Sequence, residues 1–382
     1  MARTSSPRAT GRGTTGRSRP PGEIRAPGQR STGKTRPAGK AGGDRSGTGA
    51  TAKAARRRRP PTRWVGLDVA RGTVVLLAVV LGVAAWLAPT AFTAPSWQGL
   101  GPVELVPGAF LVLAGVTGGW RADAGAAWTP RRRWQRGAIL VTAGMAVAIA
   151  RAGGELALLG AEELLRLAAA TGLAAWLAAR HPVIPFVVAP ALLLAPAAIV
   201  TGDPLGRGLR GLEASAAFPV ESALGLPGTS VAALSMFAAT GLVLVGHGLG
   251  RWMHRRPPGP ASGGALLTVA GWATVGTVAA AQVIAPVPSL LTLPVAAGSL
   301  GLAALTLGVG HLAVAAQLPV GAVAATGRVA LVPATAGAVL GALLPAAGVA
   351  LPPVAAATAG GLVAAAVGLL ALHLLDRWPL RA

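Results

Sequence analysis

From Trp64 onward the chain alternates long apolar stretches with short clusters of arginine, glycine and proline. A helix needs about 20 mostly apolar residues to cross the hydrocarbon core of a bilayer. On that length the pattern predicts ten spans, at roughly 70–90, 101–119, 137–153, 161–179, 183–201, 230–250, 264–285, 290–314, 329–347 and 354–375. Proline and glycine recur inside several of them, which membrane helices tolerate better than soluble ones. The small-residue spacings Gly246 to Gly250 and Gly337 to Gly341 permit close helix contact. The expected fold is all-α, a polytopic membrane bundle of about ten helices.

Residues 1–63 differ in kind. They are rich in Arg, Gly, Pro, Ser and Thr, with Met1 and Ile24 as the only large apolar residues. Such a segment buries too little apolar area to offset its chain entropy and is expected to be a disordered tail. It holds 17 Lys/Arg against Glu23 and Asp44, a net +15 of the whole chain's formal +22. The run Arg56–Arg59 abuts the first span and suits anionic lipid headgroups. Nucleic acid is not the expected partner, because the tail lacks interleaved aromatics and any folded reader module.

Arginine placement orients the body. With the tail in the cytoplasm, alternating ten spans put 29 Lys/Arg on the cytoplasmic side and three (Arg151, Arg207, Arg210) opposite, with Arg71 and Arg166 in or beside spans. Ten helices in the cell membrane, inner or plasma, with both termini cytoplasmic, follow from that asymmetry. The longest opposite-side connection, about 202–229, is of a length that is often functional. No internal repeat is evident, which argues against an inverted-repeat transporter.

Composition narrows the chemistry. Charged residues make up 12%, about half the usual globular share. There is no cysteine and no tyrosine, which removes thiolate and phenolic chemistry. Ten body acids and five histidines remain. His247, His311 and His373 fall near helix ends, His254 in a basic loop and His181 at a helix junction. None has metal-ligand spacing, so interhelical or interfacial roles are expected and no metal. Among charges at membrane depth, Asp68 and Arg71 stand three apart on one helix face and can pair. Glu162 and Arg166 stand four apart near the outer end of the fourth span.

The stretch Leu67-Asp68-Val69-Ala70-Arg71-Gly72 forms an L-D-x-x-R-G pattern that opens an apolar helix. Trp97-Gln98-Gly99, Glu104, Phe110 and Gly115 follow as W-x-G-x4-(acid)-x5-F-x4-G. Together these resemble the heparan-α-glucosaminide N-acetyltransferase-like membrane proteins of the transmembrane acyltransferase superfamily. Leu165-Arg166-Leu167-Ala168 is similar to that family's L-Q-R-I-A motif, and Ala239-Thr240 with Gly246 and Gly250 to its A-T-x5-G-x3-G helix. The resemblance covers roughly residues 64–252. It implies transfer of an acetyl or other acyl group from cytosolic acyl-CoA to an exoplasmic sugar or envelope glycan. Acyl-CoA would be a donor substrate, with no cofactor bound. Asp68, Arg71, Trp97 and Arg166 would then contact donor or acceptor.

The family's histidine before the tryptophan is missing, since Phe92-Thr93-Ala94-Pro95 stands there, and Gly82 replaces a membrane asparagine. An acceptor must still lose a proton, and Glu104 is the candidate base, its carboxyl poised by burial at a helix end. Glu104 reads equally as a cap acid favoured by the helix dipole. Cytoplasmic cations for the CoA diphosphate would be Arg71, Arg131, Arg132, Arg133 and Arg251. A noncatalytic relative, or a transporter on the same scaffold, is the alternative.

Overall fold

The computed structural model describes residues 64–92, 99–125, 129–152, 163–181, 183–200, 229–256, 258–332 and 351–377. The basic tail, Trp97, Glu162, nearly all of the 202–229 connection and most of the predicted 329–347 span lie outside the described residues.

The apolar stretches become helices: α1 (Val65–Leu87), the single turn α2 (Pro89–Phe92), α3 (Leu105–Asp123), α4 (Pro130–Ala152), α5 (Glu163–Arg180) and α6 (Ile184–Val200). They continue as α7 (Thr229–His254), α8 (Pro260–Ala281), α9 (Leu293–Ala315), the short α10 (Gly321–Arg328) and α11 (Pro353–Arg377). No strand occurs among the described residues. Pro260 and Pro294 sit in the first turns of α8 and α9, where a missing N–H costs nothing. Pro190 and Pro196 fall inside α6, as a helix surrounded by lipid and protein can accept.

Among the described residues, five segments are long and apolar enough to cross a membrane: Val65–Ala85, Leu105–Asp123, Pro260–Ala281, Leu293–Ala315 and Pro353–His373. Their outward faces are apolar. Trp272 is 72% exposed and Leu362 69%, an arrangement that water penalises and hydrocarbon does not. This is a helical membrane protein.

Small residues make the interior. Ala70, Ala109, Ala238, Ala239 and Ala303 are fully buried among Val74, Val112, Leu113, Leu242 and Leu307. The tightest seam joins α3 to α7. A Cβ at Gly115 or Gly119 would overlap the carbonyl oxygens of Val243 and His247, and one at Gly246 or Gly250 those of Val112 and Val116. Four glycines thus let two backbones touch reciprocally, the contact that substitutes for hydrophobic attraction where the solvent is itself apolar.

The helix ends fix the up-and-down order. Trp64, just before α1, packs on Trp120 near the end of α3 and on His311 near the end of α9, while Trp120 packs on His254, the last residue of α7. At the other end, Gly99 N–H donates to Pro286 O, and Leu351 N–H donates to Leu87 O. The start of α1 and the ends of α3, α7 and α9 therefore share one end of the bundle, the arginine-rich one.

Candidate functional site

That end is built in three layers. The deepest belongs to the L-D-x-x-R-G stretch. Asp68 lies in the first turn of α1, where the helix dipole favours a carboxylate, and it is 6% exposed. It faces Arg71 Nη1 at 4.0 Å and Arg328 Nε at 3.5 Å. Arg328 comes from the last turn of α10, where a cation is favoured. Arg71 also donates to Thr117 Oγ1 of α3, whose own hydroxyl donates to Leu113 O. Gly72 and Gly327 make this possible: a Cβ on Gly72 would strike the Val323 carbonyl, and one on Gly327 the Asp68 carbonyl. Without side chains there, α1 and α10 close to backbone contact and bring Arg328 to Asp68.

The second layer is aromatic. Trp64 and Trp120 stack with ring centroids 6.2 Å apart, and His311 meets Trp64 edge-on at 4.7 Å. His254 meets Trp120 at 5.6 Å. Such pairs add roughly 0.5–1.5 kcal/mol each beyond their buried area, which ties α1, α3, α7 and α9 together at one level. His247 lies against Gly118 and Gly119 of α3. Three of the five histidines thus serve interhelical packing, as the sequence suggests, and His254 closes α7 rather than lying in a loop.

The outermost layer is ionic. Asp123 at the end of α3 accepts from Arg251 Nε at 2.9 Å and from Arg255 Nε at 2.8 Å, one carboxylate oxygen each. The shared carboxylate raises the Arg255 pKa by hydrogen bonding and by charge. Beside it a cleft of about 680 Å3 opens between α6 and α7, lined by Phe186, Gly248, Arg251, Trp252, Arg255 and Arg256. The Arg256 guanidinium lies over the Trp252 ring, 4.9 Å from its centroid.

The structure brings Asp68 and Arg71 together and adds Arg328 and Thr117, which sequence spacing does not link to them. Glu104 stands elsewhere, at the N-cap position of α3, and its side chain makes no capping hydrogen bond. Thirteen residues of helix separate it from Thr117, about 20 Å at the α-helical rise of about 1.5 Å per residue. Arg166 is buried in the first turns of α5, 7% exposed. Trp97 lies outside the described residues. The predicted first span starts at residue 70, whereas α1 starts at Val65. Hydropathy discounts Asp68 and Arg71, yet their ion pairing keeps them inside the helix.

No protein-family model matches this chain, and no curated protein matches it. The fold and the charged end therefore define its class directly: a helical membrane protein with a buried ion-pair layer, an aromatic layer and an arginine-lined cleft stacked at one end.

Proposed function

We propose that this chain is a ten-span cell-membrane protein of acyltransferase type, with both termini cytoplasmic. In this reading it moves an acyl group from cytosolic acyl-CoA to an exoplasmic sugar or envelope glycan. The carrying observation is the clustering at the arginine-rich end of Asp68 and Arg71, the charged members of the L-D-x-x-R-G motif, with Arg328 and Thr117. The start of α1 and the ends of α3, α7 and α9 meet at one end, which is compatible with the alternation of ten spans, since helices that end together are separated by an even number of crossings.

Chemically, the donor's phosphates would meet cations at this end, where Arg71, Arg131, Arg132, Arg133 and Arg251 offer bidentate partners. The acceptor oxygen or nitrogen attacks the thioester carbonyl, the new C–O or C–N bond forms, and the C–S bond breaks. The acceptor's proton passes to the Glu104 carboxylate, and the departing thiolate takes that proton up in turn, leaving as a thiol and restoring the base. Glu104 lies about 20 Å of helix away from Thr117, so only a donor with a long extended arm, such as the pantetheine of CoA, suits both ends. Anionic lipids attracted by the basic tail would hold the protein's cytoplasmic face to the bilayer.

A noncatalytic relative or transporter is the second reading, and one observation favours it. Every polar or small member of the motif is engaged in packing: Asp68 with Arg328, Arg71 with Thr117, and Gly72 with the α10 backbone. Calorimetry of acetyl-CoA binding to the detergent-purified full chain, with Arg71→Ala and Glu104→Gln alongside, separates the two. The acyltransferase reading requires saturable binding that Arg71→Ala weakens at least tenfold, and product formation that Glu104→Gln abolishes while binding persists. Absence of binding by a monodisperse sample refutes it and leaves the second reading.

A further inference from the structure

We infer that the cleft at the end of α7 is a binding site for the headgroup of an anionic phospholipid. The inference does not rest on the acyl-transfer reading, with which it shares Arg251, and its test is placed on Arg255 and Arg256. Three arginines line this cleft, and among the described residues Arg251 and Arg255 share the one carboxylate of Asp123. The cations are held in place before any ligand arrives. Arg251 and Arg255 are fixed through Nε to one carboxylate, and Arg255 is 65% exposed. Arg256 is laid over Trp252. Preorganised guanidinium groups are the donors that match phosphate oxygens, and little side-chain entropy remains to be lost when one binds. Farther along the same end, Arg121 and Arg132 lie near enough to Arg136 to repel it, which adds to the positive field.

The other wall argues for a lipid over a soluble phosphate. Phe186, in the first turn of α6, is 63% exposed, and its ring edge lies over Gly248, one turn of α7 deeper than Trp252. The cleft therefore passes from guanidinium groups at the helix end to an aromatic wall on the flank of two apolar helices. A phosphate with an acyl chain attached matches that gradient, with the headgroup on the arginines and the chain running past Phe186. A free nucleotide or sugar phosphate would leave the aromatic wall uncovered. Its volume, about 680 Å3, lies within the usual range of ligand sites, about 300–1,000 Å3.

The test is native mass spectrometry of the full chain released from micelles containing phosphatidylglycerol or phosphatidylcholine. Arg255→Ala/Arg256→Ala and Gly248→Leu serve as variants, and Arg180→Ala, which removes a cation stacked on Trp176 of α5, as the charge control. Phosphatidylglycerol should stay bound to the wild type and to Arg180→Ala. It should bind about thirtyfold more weakly to the double variant, the effect of removing two near-surface cations. Gly248→Leu fills the cleft without changing charge and should also lose the lipid. Each variant is judged only as a monodisperse sample by size exclusion. Equal retention of phosphatidylcholine, undiminished binding by both cleft variants, or full displacement by glycerol phosphate would overturn the inference, the last by assigning the site to a soluble phosphate. Acetyl-CoA calorimetry on the same variants fails or succeeds separately, so loss of one ligand does not decide the other.

Discussion

The α3–α7 seam yields the most direct test of the packing. In Gly250→Ala the new Cβ would overlap the Val116 carbonyl oxygen, with Val116 C and Trp120 N close behind. These are backbone atoms of a helix and cannot rotate aside, so the two helices must separate. Overpacking of this kind costs about 1–3 kcal/mol. Separation also weakens interhelical Cα–H···O contacts, at roughly 0.5–1 kcal/mol each. Alanine returns up to about 1 kcal/mol of helix propensity. The balance is a loss of about 2 kcal/mol, or roughly thirtyfold in the folding equilibrium. Gly271→Ala on α8 is the control, because nothing lies within 4 Å of its Cβ direction, and it should be neutral or slightly stabilising. Reversible unfolding in mixed micelles, titrated with SDS and followed by circular dichroism, reads both. The Gly246→Ala/Gly250→Ala double variant should lose less than the sum of its singles, since one displacement relieves both contacts. If Gly250→Ala is no worse than Gly271→Ala, the two backbones do not touch and the reciprocal seam is wrong.

Other consequences follow from the charged end. Asp68→Ala removes the carboxylate that faces both Arg71 and Arg328 and should cost about 1–3 kcal/mol. A double-mutant cycle with Arg328→Ala in the same SDS titration should return a coupling near 1 kcal/mol, and a coupling of zero would remove the pair. Arg251 is 20% exposed and Arg255 65%, so Arg251→Ala should destabilise by about 1–2 kcal/mol and Arg255→Ala by less. The reverse order would contradict the burial difference. Trp64→Ala removes the stack on Trp120 and the edge contact with His311, and should lower stability by about 2–3 kcal/mol. Because the natural chain has no cysteine, single cysteines at Ala91 and Arg256 should label with impermeant maleimide from opposite sides of sealed vesicles. Labelling from one side would break the proposed topology.

Much of the architecture was legible because hydropathy is a local property. Helices of the observed kind cover the predicted spans from α1 to α9 and again at α11, and the Gly246–Gly250 spacing announced the α7 face that meets α3. What the sequence could not mark is which glycines meet a partner. Gly250 lies against Val116 while Gly264 and Gly271 of α8 face open space, and nothing local distinguishes them. The ion pairs were hidden for a related reason. Asp123 and Arg251 are 128 residues apart, and Asp68 finds Arg328 through a helix too short for a hydropathy window to notice. The i,i+3 spacing of Asp68 and Arg71 correctly pointed to a pair, but at 4.0 Å it is longer than the 3.5 Å contact with Arg328.

This bears on how the motif is to be read. Within L-D-x-x-R-G, Leu67 is buried in the core, Asp68 holds α10, Arg71 reaches α3 and Gly72 admits the α10 backbone. The pattern would therefore persist in a chain that had lost acyl transfer, because substituting any member loosens the junction of three helices. Glu104 is the opposite case. It occupies a cap position without capping, so the helix dipole and not a capping hydrogen bond is what the α3 terminus offers its carboxylate. A Glu104→Gln variant that folds normally yet loses acyl transfer would be the specific sign of chemistry, whereas loss of binding in Arg71→Ala alone would be ambiguous between a ligand contact and a broken α1–α3 junction. Conservative Arg71→Lys resolves that ambiguity: a lysine keeps the charge beside Asp68 but forfeits the bidentate fork, so stability should largely survive while affinity for a phosphate falls.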